Sequence, residues 1–104
     1  MVTQINTTEF DELINSGKTV VCDFFATWCG PCRMLAPVID TASEEFGDKA
    51  VFVKVDIDEN PELSMRYGIM SIPLVGVFKN GAMSGKSLGY MSKTEAFSFL
   101  KENL

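Results

Sequence analysis

Cys29 and Cys32, in Trp28-Cys29-Gly30-Pro31-Cys32, offer the most chemistry in the chain. On the first turn of a helix, residues three apart share one face at about 5–6 Å, inside the Cα separation that a disulfide needs. Such a pair can make and break a bond with little backbone motion. Two other uses of the thiols compete with that one. Zinc normally takes four N or S ligands, and the chain has no histidine and only Cys22 to add. A purely structural cross-link would close so short a loop that it removes little unfolded-state entropy and should be readily reduced. Cys22 falls beside Val20 and Phe24 in an apolar run and reads as a small, inert core residue.

The elements that must hold the pair follow from periodicity. Thr19 to Ala26 is a nearly unbroken apolar run, as expected for a strand covered on both faces, and it leads straight into the Cys-Gly-Pro-Cys turn. From Cys32 onward, Leu35, Val38, Ile39, Ala42 and Phe46 recur at helical spacing, with Pro37 inside the pattern and Gly47 past its end. Before the run, Val2 to Ile5 predicts a short strand. Thr7-Thr8-Glu9 supplies cap and first-turn chemistry for a helix burying Phe10, Leu13 and Ile14 and ending at Gly17. After it come a strand over Val51 to Val55, a loop over Asp56 to Glu59, and a short helix capped by Asn60, with Pro61 at its first position, carrying Leu63, Met65 and Tyr67. Leu74 to Phe78 reads as a strand, and Asn80-Gly81 turns it back antiparallel into a segment ending at Leu88. Ser92-Lys93-Thr94-Glu95 matches a capping box for a last helix with Ala96, Phe97, Leu100 and Leu104 on one face. The order is βαβαβαββα, an α/β arrangement with a mixed sheet.

At 104 residues and 46% hydrophobic, the chain is expected to form one domain over residues 1–104 with a sizeable core. A net charge of −5 with scattered Lys and Arg argues against nucleic acid or an anionic membrane as partner. No basic start followed by an apolar core suggests a signal peptide, and no apolar run approaches the roughly 18 residues of a membrane span. A cytosolic setting is therefore the expectation. The odd count of three cysteines suits a reducing compartment, where Cys-x-x-Cys is redox-active or metal-binding.

Several motifs occur in combination: Trp28-Cys29-Gly30-Pro31-Cys32 after a strand bearing Asp23, Ile72-Pro73 further on, Lys79-Asn80-Gly81, and Gly89 before the last helix. On these, and over essentially its whole length, the chain closely resembles the thioredoxin family. The resemblance implies a thioredoxin fold with a central mixed five-stranded sheet flanked by four helices, and an Ile72-Pro73 bond in the cis form. It also implies reduction of protein disulfides with electrons from a thioredoxin reductase, by a monomer that carries no cofactor or metal.

Physical chemistry then assigns roles within that chemistry. The nucleophile of disulfide exchange is a thiolate. Cys29, at the helix N-terminus, meets unpaired N–H groups and the positive end of the dipole, with Arg33 nearby to add positive field. Cys32, one turn in, should be more buried; it would resolve the mixed disulfide formed on Cys29, closing a Cys29-Cys32 disulfide. Asp23 is the carboxylate available to accept the Cys32 proton, and burial would raise its pKa toward neutrality; the competing reading has it facing solvent on a half-exposed strand. Lys54 could partner Asp23, or simply be a snorkelling surface lysine. Trp28, Gly30, Pro31, Ile57, Met70, Ile72, cis-Pro73 and Gly89 would form a flat apolar surface for an extended substrate segment, although Trp28 and Ile72 could instead be core residues.

The chain departs from the usual family pattern at Phe25, where a second tryptophan is common, at Ser71, where glycine is frequent, and at Leu74, where threonine usually follows the proline. No catalytic group is lost, and Ser71 and Leu74 border the substrate surface, so they bear on partner choice. Gly76 inside a buried strand is a local weakness of up to about 1 kcal/mol. Two alternatives stand beside the reductase: an oxidase or isomerase of the same fold, which Gly30-Pro31 and the missing export signal disfavour, and a binding subunit that never cycles its thiols.

Overall fold

The computed structural model describes residues 1–104 and contains the nine elements in the expected order. They are β1 (Thr3–Gln4), α1 (Thr7–Ile14), β2 (Val20–Phe25), α2 (Gly30–Phe46), β3 (Val51–Asp56), α3 (Pro61–Arg66), β4 (Leu74–Lys79), β5 (Ala82–Leu88) and α4 (Lys93–Asn103). The five strands form one sheet in the order β1-β3-β2-β4-β5. β1, β3 and β2 run parallel, whereas β4 is antiparallel to both β2 and β5. β2 is therefore the central strand, with hydrogen-bonded neighbours on both sides.

Helices cover both faces, which is why β2 reads as a continuous apolar run rather than an alternating one. On one face Phe10 and Ile14 of α1 and Leu63 of α3 pack against Val20, Cys22, Phe24 and Phe78. The rings of Phe10, Phe24, Tyr67 and Phe78 meet there at 5.1–6.4 Å between centroids. On the other face Leu35, Ile39 and Phe46 of α2 and Ala96 and Leu100 of α4 pack against Val21, Phe52, Val75 and Val77. No helix is long and apolar enough to cross a membrane.

Several local features differ from expectation. The N-cap of α1 is Asn6 rather than Thr7: its side chain accepts the Glu9 N–H at 2.9 Å and Glu9 returns the bond to the Asn6 N–H at 3.0 Å. Asn60 occupies the cap position of α3 but makes no side-chain cap bond. Its Oδ1 accepts from Thr7 N and Oγ1, and its Nδ2 donates to the Asp56 carbonyl, so this residue ties the start of α1 to the β3–α3 loop. β1 shrinks to two residues, although Ile5 N still donates to the Lys54 carbonyl at 3.0 Å. β3 runs one residue further than expected, pairing Asp56 with Phe25. Leu13 is only half-buried, and Met65 on α3 faces solvent. Asn80 and Gly81 both take positive φ, 54° and 80°, as a two-residue hairpin turn requires.

The glycine at position 76 has a packing reason. It stands opposite Cys22 in the β2–β4 ladder, and a Cβ there would come within 3.0 Å of Phe78 Cε1 and 3.2 Å of Met83 Cε. A side chain at this position would fit only if the Phe78 ring or the Met83 methyl gave way by a few tenths of an ångström.

Candidate active site

β2 ends at Phe25, and the chain turns through Thr27 and Trp28, with Cys29 N–H donating to the Ala26 carbonyl at 3.2 Å. α2 begins at Gly30 rather than Cys32, with Pro31 in its first turn, where a missing N–H costs nothing. Cys29 is thus the N-cap residue itself, with extended backbone (φ −89°, ψ 110°). Its Sγ accepts the backbone N–H of Cys32 at 3.2 Å, so the sulfur fills the place that an oxygen takes at ordinary helix caps. The two Cα atoms are 5.2 Å apart and the sulfurs are joined in a disulfide.

The difference in burial expected between the two cysteines is almost absent in this oxidised state, at 5% exposed for Cys29 and 3% for Cys32. Their surroundings distinguish them instead. Cys29 Sγ lies 3.9 Å from the Ile72 carbonyl oxygen, whereas Cys32 lines a pocket of about 300 Å³ with Asp23, Phe25, Ala26, Thr27, Arg33, Ala36 and Lys54. Arg33 directs its guanidinium at the Thr27 carbonyl, 2.9 Å away, and not at the Cys29 sulfur.

Asp23 is 3% exposed, which removes the solvent-facing reading, and its Oδ1 has no hydrogen-bonding partner. Burial, which penalises the charged form, pushes its pKa up from 3.8 to about 7; the positive charge of Lys54 opposes that rise and the negative charge of Asp40 adds to it. Lys54 is the register partner of Asp23 in the parallel β2–β3 ladder. It forms no direct ion pair with the carboxylate: its ammonium sits 5.5 Å from the centroid of the Phe25 ring. One turn of the fold thus brings together Cys32, a neutralisable carboxyl group and a half-buried cation.

Around Cys29 the surface is apolar. Ile57 and Ile72 are half-buried and pack against Ala26, Cys29 and Cys32. Trp28 is 67% exposed and Met70 95%, so Trp28 belongs to the surface rather than the core. The Ile72-Pro73 peptide is cis and Pro73 itself is buried. Gly89, at φ 95°, donates its N–H to the Pro73 carbonyl at 2.8 Å, which binds the end of β5 to the proline loop. Gly30 is half-buried and Pro31 exposed beside the disulfide.

Sequence reasoning passed over several residues here. Asp58 accepts the Trp28 indole N–H at 2.7 Å and so holds the ring over the turn. Only its place in the loop after β3, which ends beside the carboxyl end of β2, could have pointed to it. Met34, Leu88 and Tyr90 are exposed, Met34 just after Cys32 and the other two flanking Gly89. Cys22 behaves as expected: it is a free thiol, fully buried, and burial pushes its pKa well above the usual value.

The family model described as Thioredoxin matches residues 1–102. Among curated proteins, a thioredoxin from Rickettsia prowazekii is 39% identical over 105 residues, covering all of both chains. A thioredoxin from Staphylococcus epidermidis is 40% identical over 103 residues, covering 99% of this chain and 98% of its own. Among solved structures, that of Plasmodium falciparum thioredoxin superposes with a TM-score of 0.91 at 35% identity, covering 99% of this chain and all of that one.

Proposed function

This chain belongs to the thioredoxin family and is a protein-disulfide oxidoreductase, and on that premise we propose how its residues divide the work and where its electrons come from. The reduced dithiol donates two electrons to a substrate disulfide. Cys29 thiolate attacks one substrate sulfur, forms a mixed disulfide and expels the other substrate sulfur as a thiolate. Cys32 then gives its proton to Asp23 and attacks Cys29 Sγ, releasing the second substrate sulfur and closing the Cys29-Cys32 disulfide. The proton held by Asp23 passes to the leaving thiolate. A thioredoxin reductase returns two electrons and one proton, restoring the Cys29 thiolate and the Cys32 thiol and making the chain a recycled electron carrier.

The observation that carries this division is the N-cap geometry. A sulfur already accepting the Cys32 N–H at the positive end of α2 is the one whose anion is stabilised, because unpaired N–H groups and the helix dipole both favour negative charge there. The pocket beside Cys32 supports the second half of the cycle. A carboxyl group with a pKa of about 7 is half ionised near neutrality, so it can both take a proton and give one up. Trp28, Ile57, Met70, Ile72, Pro73 and Gly89 form the apolar edge on which an extended substrate segment would lie. A cytosolic monomer meeting many disulfide-bearing proteins fits the acidic charge of −5 and the apolar surface around Cys29.

The division of labour is tested by trapping. Reduced Cys32→Ser protein mixed with a disulfide substrate should accumulate a mixed disulfide, which mass spectrometry locates on Cys29; Cys29→Ser should accumulate none. An adduct that forms on Cys32 as readily as on Cys29 would reverse the roles. A non-cycling binding subunit predicts that function survives both substitutions.

A further inference from the structure

Asp23 and Phe25 stand two residues apart on β2 and so project from the same face of the sheet, where both line the pocket that holds Cys32 and Lys54. Lys54 has no carboxylate partner in ion-pair contact. Its ammonium instead rests 5.5 Å from the centroid of the Phe25 ring, a distance at which the negative face of an aromatic ring attracts a cation. A lysine stem left free samples rotamers that carry the charge out to water, where it is screened. The ring therefore has two separable effects on its neighbour Asp23: its bulk keeps water out, and its face keeps a positive charge in.

We propose that Phe25 is a positioning residue of the disulfide-exchange reaction, holding the Lys54 ammonium at the mouth of the Asp23 pocket and thereby setting how readily Asp23 takes the proton of Cys32. That role rests on Asp23 being the proton acceptor. The other groups around the carboxylate leave Lys54 as the adjustable charge. On α2, Arg33 is bonded to the Thr27 carbonyl, and Asp40 adds a negative charge from the exposed side of the helix. On β3, Asp56 is occupied by the N–H groups of Asp58 and Glu59. From β4, Asp23 faces Val75, which carries no charge, and Cys32 is uncharged in the disulfide. On its own strand, Cys22 is a neutral buried thiol on the opposite face.

The two effects of the ring have opposite signs, so one titration separates them. The probe is the Asp23 side-chain carboxyl carbon, followed by NMR against pH in the oxidised protein. Phe25→Leu keeps apolar bulk but removes the ring face; the midpoint should rise by a few tenths of a pH unit, and Phe25→Trp, which restores a face, should leave it near the parent value. In a Lys54→Met background, which itself raises the midpoint, Phe25→Leu should add no further rise. If Phe25 is only a wall, the smaller residue admits water and the midpoint falls. A fall, no change, or a rise that persists without Lys54 would overturn the role. Phe25→Met carries the same expectations should Phe25→Leu not fold. Because the carboxyl group is read directly, failure of the acceptor role is distinguishable. If Asp23→Asn resolved mixed disulfides at the parent rate while the titrations behaved as predicted, Phe25 would still anchor Lys54 but would have no part in the reaction.

Discussion

On the face of β2 that meets α1 and α3, Cys22 lies in a closed aromatic layer; one residue on, Asp23 points to the face that meets α2 and lies beside Cys32 in a pocket. Both side chains are almost wholly out of water. Burial leaves the Cys22 thiol neutral and inert, since a thiol gives up little on leaving water. The same burial holds a carboxyl group in its protonated form up to about pH 7, with one oxygen unpartnered. Depth alone therefore does not make a group reactive. What separates the neighbours is whether their face is sealed by rings or opens beside a thiol, and adjacent residues of one strand can hold both environments because they point to opposite faces.

That contrast predicts which substitutions act on stability and which on chemistry. Phe10→Ala on the aromatic face removes a fully buried ring that meets Phe24, Tyr67 and Phe78, and should cost about 3–5 kcal/mol in denaturant unfolding. The remaining folded protein should exchange disulfides at an unchanged rate. A rate that fell along with stability would mean that the two faces are not separable.

Asp23→Asn should do the opposite. The folded protein keeps the Asp23 proton up to about pH 7, whereas an unfolded aspartate loses it near 3.8. Between those values the folded state binds more protons than the unfolded state, so the carboxylate lowers stability progressively as pH rises, and the loss is complete above pH 7. Removing it should leave stability unchanged near pH 3 and raise it by up to about 4 kcal/mol at pH 8, as three pH units imply. Equal effects at both pH values would show that burial does not hold the proton.

Gly76→Ala is the smallest expected change and tests how tightly the aromatic face is sealed. The new methyl group meets Phe78 and Met83, and the overpacking exceeds the backbone entropy gained over glycine, for a net loss of about 1 kcal/mol. A net gain in thermal unfolding would show that the aromatic layer is slack there.

The elements were legible from periodicity and turn residues because each depends on neighbours in sequence. The Asn80-Gly81 turn and the Ser92 capping box appear as expected. Cap choice was less secure: Asn6, Thr7 and Thr8 all have capping side chains, and the reciprocal bond with Glu9 selects Asn6. Asn60 failed as a cap because its amide finds Thr7 across the fold, a pairing of distant segments that no local pattern encodes. The same reason hid Asp58 under Trp28 and Phe25 under Lys54. The thiols declared themselves by spacing, whereas the burial of Asp23 could not be read from β2, since a strand covered on both faces loses the alternation that tells inside from outside.

In the proposed cycle Asp23 takes the proton of Cys32 as the mixed disulfide resolves. The most direct test is the rate of that step, measured by rapid quench on a preformed Cys29 mixed disulfide across pH 5–9. That rate should rise with a midpoint near the titration of the Asp23 carboxyl, about 7, and should slow markedly and lose that midpoint in Asp23→Asn. A rate independent of pH through that range, or the same profile in Asp23→Asn, would contradict that role.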